Sequence, residues 1–599
     1  MVILSSVLEA LQLVGEVEHL EQVLPAPVRD PRERAALQPV CDCHHRQGGK
    51  PTSVCGAARR LLRTECDLLI RGGTIYDGRG GPAFAGDVAI RGDRIVAVGS
   101  LRGWQGRDEL DAGDLAVAPG FVNMLSWANE SLLEDGRAQS DLRQGVTLEV
   151  LGEGASMGPL TDTMKEDFAA QSLFGLRAEW TTLGEFLDYL VEHGVAPNVA
   201  SFVGAETVRM HELGAEDRPP TENELNRMRA LVRHAMQEGA VGISSALVYA
   251  PGCFAETAEL VALACAAAGY HGIYISHLRS EGNGLLEALE EFLTIAREAG
   301  VRAEIYHLKA AGEPNWGKLE RVIDRVEEAR RAGLAVTADV YTYTAGATGL
   351  NGAMPPWVQE GGFEAWRSRL SNPEVRARVE REMTNDTDEW ENMFRLAGPE
   401  NMRLLAFRSD GLRPLTGMTL AEAAAQRETS PAQTAMDLVV EDGSRVSTAY
   451  FTISEENLLR ELGLPWVSFC SDSAAPSADG VFRKWSTHPR AYGSFARLLG
   501  KYVREEEALS LEAAIHRLTE LPARNLRLAD RGLVESGYYA DLVVFDPDRI
   551  QDHATYDDPH RYATGVSHVV VNGALALRDG EPTGALPGRV VRGPGWGML

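Results

Sequence analysis

The chain has 599 residues, 44% hydrophobic and 24% charged, with a formal net charge of −27. That length exceeds one ordinary domain, and the acidic balance argues against sequence-independent nucleic-acid binding, because no excess of lysine and arginine is present to neutralise phosphates. No apolar run is long enough to span a bilayer, and seven scattered cysteines form no disulfide framework; a soluble chain in reduced cytoplasm is expected, with export open if the start is misassigned.

The opening MVILSSVLEALQLVGEVEHLE lacks a basic region and a small-residue cleavage site, so it reads poorly as a signal peptide. Cys41, Cys43, His44, His45 and Cys55 invite a zinc reading, but their spacing lacks the usual C-x2-C arrangement. Residues 1–64 are instead expected to form a disordered extension. From Cys66 the texture changes to short strands, CDLLIRGGTIYDG and AGDVAIRGDRIVAVG, punctuated by Gly-Gly and Gly-Asp turns. GYYADLVVFDPD and HVVVNGALALRDG repeat it near the other end, so segments 65–117 and 532–595 are predicted to pair into one small β-sandwich.

Between them, over 118–531, eight apolar β-rich runs recur with helical stretches between most of them: LAVAPGFVNML, VTLEVLGEG, VASFVG, AVGISSALV, GIYISHLRSEG, RAEIYHLKAAG, LAVTADVYTY and PWVSFCSDSA. In GLLEALEEFLTIAREAG the apolar residues Leu285, Leu286, Leu289, Phe292, Leu293 and Ile295 fall at amphipathic helical spacing and stop at Gly300. Eight such units predict an α/β fold, a (β/α)8 TIM-like barrel whose chemistry sits at the C-terminal ends of its strands. An insertion over about 352–462, before the last strand, carries helical stretches such as FEAWRSRL and PEVRARVEREM and reads as a lid on the active-site face.

Polar residues end four of the runs: Glu153, His277, His307 and Asp472. All would face one barrel mouth, and imidazole plus carboxylate suits zinc with an open position for water. Lys309 lies two residues beyond His307 and so on the same strand face. Arg279 follows His277, with Glu281 able to neutralise it, and His488-Pro489-Arg490 follows the eighth run, where an arginine fork would hold a carboxylate. Tyr341 and Tyr343 share a face by period-two reasoning. Each has a plain structural alternative: a hydrogen-bonded core histidine, a solvated lysine, a surface salt bridge, a packed tyrosine. Gly152-Glu153-Gly154 lacks the ending of a phosphate loop, Ser244 and Ser245 form no nucleophile elbow, and Cys470 sits in an apolar run as a packed residue.

From about Cys66 to Arg589 the sequence resembles the amidohydrolase superfamily and, within it, the N-acyl-D-amino-acid deacylases (D-aminoacylases). The resemblance is carried by DLLIRGGTIYDG, LAVAPGF, GVTLEVLGEG, GISSALVYAPG, YISHLRSEG, HLKAAGEPNWGK, DVYTYTAGATGL, FCSDSAAP, HPRAYGSFARLLGKYVRE, LPARNLRLADRG, YADLVVFDPD and ATYDDP, in this order. It implies His277 and His307 as zinc ligands and Asp472 as general base. Lys309, a tyrosine of DVYTYT and Arg490 become contacts for a substrate carboxylate, and Tyr341, Tyr343 and His488 enter the candidate substrate set. Two departures stand out. The family's His-x-His falls on Leu125-Ser126-Trp127, and its metal-binding cysteine falls on Glu153-Gly154. One zinc per chain is therefore expected, held by Glu153, His277 and His307, with Trp127 filling the lost position. The implied reaction is hydrolysis of a small-molecule N-acyl amino acid, of D configuration by resemblance, to a carboxylate and a free amino acid. A cyclic-amide hydrolase of hydantoinase type and a metal-free binding protein on the same fold are the alternatives. Oligomeric state, acyl group and side-chain preference are not legible.

Overall fold

The apolar runs of the central segment are buried on both faces, as a parallel sheet wrapped by helices requires: every residue of Phe121–Ser126 and of Val146–Leu151 is buried. A computed structural model describes residues 64–387 and 389–598. The expected extension and the Cys41, Cys43, His44, His45 and Cys55 cluster lie outside the described residues. The eight runs form parallel strands in chain order: Phe121–Ser126, Val146–Leu151, Asn198–Ser201 continuing as Val203–Gly204, Gly242–Ala246, Ile273–His277, Ala303–Ile305, Val336–Val340 and Val467–Phe469. The third strand breaks at Phe202, whose N–H donates to Leu151 O at 2.9 Å. The ring closes through a parallel bridge between Ser126 and Ser473 and a 2.9 Å bond from Asp472 N–H to Leu125 O.

Helices cover the outside. Leu285–Ala299 buries Leu285, Ala288, Leu289, Phe292, Leu293, Ile295 and Ala296, one stripe at helical spacing, and stops where Gly300 takes a left-handed φ of 62°. Between the seventh and eighth strands the chain builds a three-stranded antiparallel sheet, Gly346–Gly349, Met402–Ala406 and Ser447–Tyr450. Helices such as Pro373–Thr384 pack beside it, this one started by Pro373 in the first turn and an Asn372 cap. Trp366, Met383, Met402, Phe407, Met436 and Tyr450 give this insertion a buried core of its own.

Strands from the two flanking segments join one nine-stranded sheet, not two separate sheets of a sandwich. The reason is the long strand Thr64–Ile75. It pairs antiparallel with Phe84–Arg91 on one side and, on the other, parallel with Trp104–Asp111 and then Ala116–Pro119. Ala116–Pro119 continues the hydrogen bonding into Leu542–Phe545, so the ladder never breaks between the halves. Cys66, Cys253, Cys265 and Cys470 are free thiols. Among the described residues no helix is long and apolar enough to cross a membrane.

Candidate active site

Glu153 stands in the turn after Val146–Leu151, between two glycines of positive φ, 96° at Gly152 and 62° at Gly154. A Cβ at Gly152 would meet the Phe202 carbonyl oxygen at 2.6 Å, and one at Gly154 would meet Ala246 Cβ at 2.6 Å. Both positions therefore need glycine to bring the carboxylate over the barrel mouth. His277 ends its strand, and His307 lies two residues past Ala303–Ile305. His307 and Asp472 both have positive φ, 32° and 48°. Such conformations are costly for residues with a side chain and persist where surrounding bonds impose them. Here His307 N–H donates to Asp339 Oδ1 at 2.9 Å and Asp472 N–H to Leu125 O at 2.9 Å.

These turns converge three lone-pair atoms. Glu153 Oε1 is 3.0 Å from His307 Nε2 and 3.3 Å from His277 Nδ1, and the two ring nitrogens are 3.0 Å apart. A tetrahedral zinc ion with nitrogen and oxygen ligands at about 2.0–2.1 Å sets neighbouring ligand atoms roughly 3.3 Å apart. The donor set thus fits one such ion. Glu281 serves the far sides of both rings: Oε2 lies 3.5 Å from His277 Nε2 and Oε1 lies 3.1 Å from His307 Nδ1. Lys309 Nζ donates to the same carboxylate at 2.6 Å and lies 2.8 Å from His307 Nδ1. A carboxylate behind a ligating imidazole fixes ring orientation and raises basicity. The Glu281 backbone is itself held, because the N–H groups of Glu281 and Gly282 both donate to the Glu391 carboxylate, which comes from the insertion.

Charges are strongly coupled here. Burial pushes the Glu153 carboxyl up, but hydrogen bonds from His277 and His307 outweigh it and hold the group well below the usual range. Burial likewise raises Glu281, and the charges of His277, Lys309 and His307 bring it well below. Burial and Lys309 pull His307 down; Glu281 and Glu153 pull harder, to about 10. Asp472 goes the other way: burial raises it, and Arg490 and His307 only partly offset that.

Asp472 Oδ2 pairs with Arg490 Nη1 at 2.7 Å, and its Oδ1 accepts from the Trp127 indole N–H at 3.2 Å. The same N–H reaches Glu153 Oε2 at 3.0 Å. Arg490 stacks 4.7 Å over the Tyr341 ring, while Lys309 Nζ lies 5.9 Å from that ring's centre. Trp127, Glu153, His277, His307, Lys309, Tyr341, Asp472, His488 and Arg490 all line a cavity of about 890 Å³.

The structure places three further sequence candidates as follows. Tyr343 is not on the cavity wall; its ring lies 5.4 Å from His488 and its hydroxyl donates to Pro489 O at 3.4 Å. The strand ends at Val340, so alternation no longer governs which way the two tyrosines point. His488 lines the cavity, but its Nδ1 accepts from Arg490 N–H at 3.0 Å and its Nε2 lies 2.9 Å from the Tyr556 hydroxyl. Both nitrogens are thus engaged within the protein, and burial with Arg490 nearby holds its pKa well below the ordinary value. Arg279 pairs with Glu291 at 2.7 Å, leaving Glu281 to the site.

Sequence reasoning missed Glu281 as a site member, Tyr249 and Glu206. Tyr249, in the quoted GISSALVYAPG, lines the cavity with its ring 5.4 Å from that of His277. Glu206 opens no apolar run; it sits in the helix Ala205–Leu213, accepts from Ala246 N–H at 2.7 Å and is pushed up to about 7 by burial.

Residues 108–576 match the model of the amidohydrolase family. The chain belongs to that family. This amidohydrolase is 32% identical over 531 residues to the N-acyl-D-glutamate deacylase of Alcaligenes xylosoxydans xylosoxydans, covering 89% of this chain and 97% of that protein. Its fold matches the crystal structure of N-acyl-D-glutamate deacylase from Bordetella bronchiseptica, complexed with zinc and a phosphonate mimic of the tetrahedral intermediate, with a TM-score of 0.72, 30% identity and coverage of 88% and 100%. A structure of D-aminoacylase concerned with its binuclear metal centre, one-metal activation and second-metal attenuation matches with a TM-score of 0.74, 30% identity and the same coverage, 88% and 100%.

Proposed function

We propose that this amidohydrolase deacylates N-acyl-D-amino acids with one zinc ion per chain, held by Glu153 Oε1, His277 Nδ1 and His307 Nε2. The observation that carries the reading is the convergence of those three atoms within 3.3 Å beside a buried carboxylate, Asp472, that no ligand atom needs. Bound there, zinc would polarise the amide carbonyl and acidify water. The half of the family's centre that falls on Leu125 and Trp127 offers no lone pairs: Leu125 is fully buried in the barrel interior, and Trp127 presents an N–H donor. The one-metal activation described for D-aminoacylase supports a single-ion site.

Asp472 acts as the base, taking the proton of the attacking water and passing it to the leaving amine nitrogen. Its raised pKa suits the return step, since a weakly acidic carboxyl is a better proton carrier than an ordinary aspartate. Trp127 N–H donates to both Oδ1 of Asp472 and Oε2 of Glu153, which orients the base beside the ion-binding carboxylate. Arg490 and Lys309, both beside the Tyr341 ring, hold the substrate α-carboxylate. Arg490 has five N–H donors, enough to keep Asp472 while gripping a second carboxylate. Those two cations also favour a linear N-acyl amino acid over a hydantoin-type cyclic amide that bears no free carboxylate.

The test measures zinc content and hydrolysis of paired N-acetyl-D- and N-acetyl-L-amino acids by the purified protein. About one zinc per chain and preference for the D series are expected. Two tightly bound zinc ions would overturn the single-ion site, and activity in a zinc-free preparation would overturn the mechanism.

A further inference from the structure

A second cavity, of about 340 Å³, lies at the end of the barrel away from the metal-binding groups. Ile273 and Ala303, on its wall, begin their strands, and Ala335 and Trp466 immediately precede the seventh and eighth; His277 by contrast ends a strand. Three arginines from three separate elements line this cavity. Arg302 stands just ahead of Ala303–Ile305, Arg330 in the last turn of the helix Leu319–Arg331, and Arg524 in the short helix Glu520–Asn525. On a chain with a net charge of −27 they are not the by-product of a generally basic surface.

Few acids answer these charges. Among the described residues the half-buried Arg302 side chain makes no ion pair or hydrogen bond, and the half-buried Arg330 donates to Val336 O without an ion pair. Arg524 is exposed at the rim, and its ion pair with Glu520 at 3.4 Å is open to water and weak. Glu304, behind the wall, is already engaged: it accepts from the Thr337 hydroxyl at 2.7 Å, the Asn525 amide at 3.0 Å and the Ser468 hydroxyl at 3.2 Å. Burial and the Asp339 charge push its carboxyl up, toward the neutral form. Glu327 accepts the Trp466 indole N–H at 2.8 Å. The arginines instead repel one another. Burial and the charges of Arg527 and Arg524 hold Arg302 below the ordinary arginine pKa against the pull of Glu304; burial lowers Arg330, with Glu327 opposing and Arg524 adding to it.

A carboxylate offers two oxygens in one plane. A phosphomonoester offers three terminal oxygens on a tetrahedron and is close to dianionic at neutral pH, which suits guanidinium forks arriving from separate elements. The volume is in the range of small-molecule sites, and Leu334 and Leu521 add apolar wall for an organic body. We propose that this cavity binds a small phosphorylated anion, free phosphate or a phosphomonoester, on Arg302, Arg330 and Arg524, at a site separate from the catalytic one.

The test is titration calorimetry of the zinc-loaded protein, in phosphate-free buffer, with phenyl phosphate, inorganic phosphate and acetate. It is repeated on Arg302→Gln, on Arg302→Gln/Arg330→Gln and, as a control for anions entering the catalytic cavity, on Arg490→Met. Native protein should bind at least one of the two phosphates with a Kd below about 1 mM and at least about tenfold more tightly than acetate. Arg302→Gln should weaken that binding roughly 10- to 100-fold, the double variant should weaken it further, and Arg490→Met should retain it. Tighter binding of phenyl phosphate identifies the ester as the ligand class, and equal or tighter binding of inorganic phosphate identifies the free anion. No binding within that limit, acetate bound as tightly, binding that survives both arginine variants, or binding that disappears in Arg490→Met would each overturn the site. Because the Arg302 side chain has no ion pair or hydrogen bond to lose, Arg302→Gln should keep the native Tm, which separates loss of the site from loss of the fold.

Discussion

The ends of four barrel strands serve one cavity, yet they fall into two unlike halves. After Val146–Leu151, at His277 and after Ala303–Ile305, the chain turns carboxylate and imidazole atoms toward a common point 3.0 to 3.3 Å across. After Phe121–Ser126 it presents an aliphatic residue to the barrel interior and an indole N–H to the cavity. This half is nevertheless filled. Trp127 donates to both Glu153 and Asp472, so this side offers a proton donor to the acids rather than lone pairs to a cation.

The largest effect should come from breaking the intact half. Glu153→Gln removes the anionic ligand and should lose zinc and activity together, a fall of more than about 10³-fold in kcat; zinc analysis alongside turnover checks it, and a variant that keeps both contradicts the ligand assignment. Next is Asp472→Asn, expected to retain zinc while kcat drops by about 10²- to 10⁴-fold, the range for removing a general base. The ordering of these two losses sharpens the comparison, because only the first should change metal content.

Arg490→Met should lower kcat/KM by about 10- to 150-fold, equivalent to roughly 1.5 to 3 kcal/mol of charge-assisted binding. It also carries a pH signature. Burial raises the Asp472 pKa above its ordinary value and Arg490 lowers it. Activity needs the ionised base, so it is lost as pH falls through that raised pKa, and removing Arg490 should move the acid limb of kcat/KM to higher pH. An unmoved limb would show that another group sets it. The smallest change is Trp127→Phe, which keeps the ring and deletes the N–H; a loss of about 2- to 10-fold in kcat with zinc unchanged is expected, the worth of an ordinary hydrogen bond or two. A full loss of zinc there would mean that the aromatic half helps to build the site rather than to align it.

Much of this was legible because strand ends in a barrel are informative positions: Glu153, His277, His307 and Asp472 each close an apolar run, and all four line the cavity. What was not legible depended on partners distant in sequence. Glu281 lies four residues past His277, and spacing alone does not say whether it turns to Arg279 or to the imidazoles; Glu291 takes the arginine and settles it. His488 looked available until Tyr556, 68 residues further on, took its second nitrogen. Tyr343 was grouped with Tyr341 by an alternation that ends with the strand at Val340. At the flanks, alternation identified the strands but not that Thr64–Ile75 pairs on both edges, which is what makes one sheet of them.

Glu391 has a kinetic meaning. It belongs to the insertion, and its carboxylate accepts the N–H groups of Glu281 and Gly282, next to the side chain that steers both imidazoles. An outward swing of the insertion must break those bonds and free the steering carboxylate as it goes. Were an ion held by Glu153, His277 and His307, its residence time would follow the seating of the insertion, since any displacement that breaks the Glu391 bonds would loosen the carboxylate behind both imidazoles.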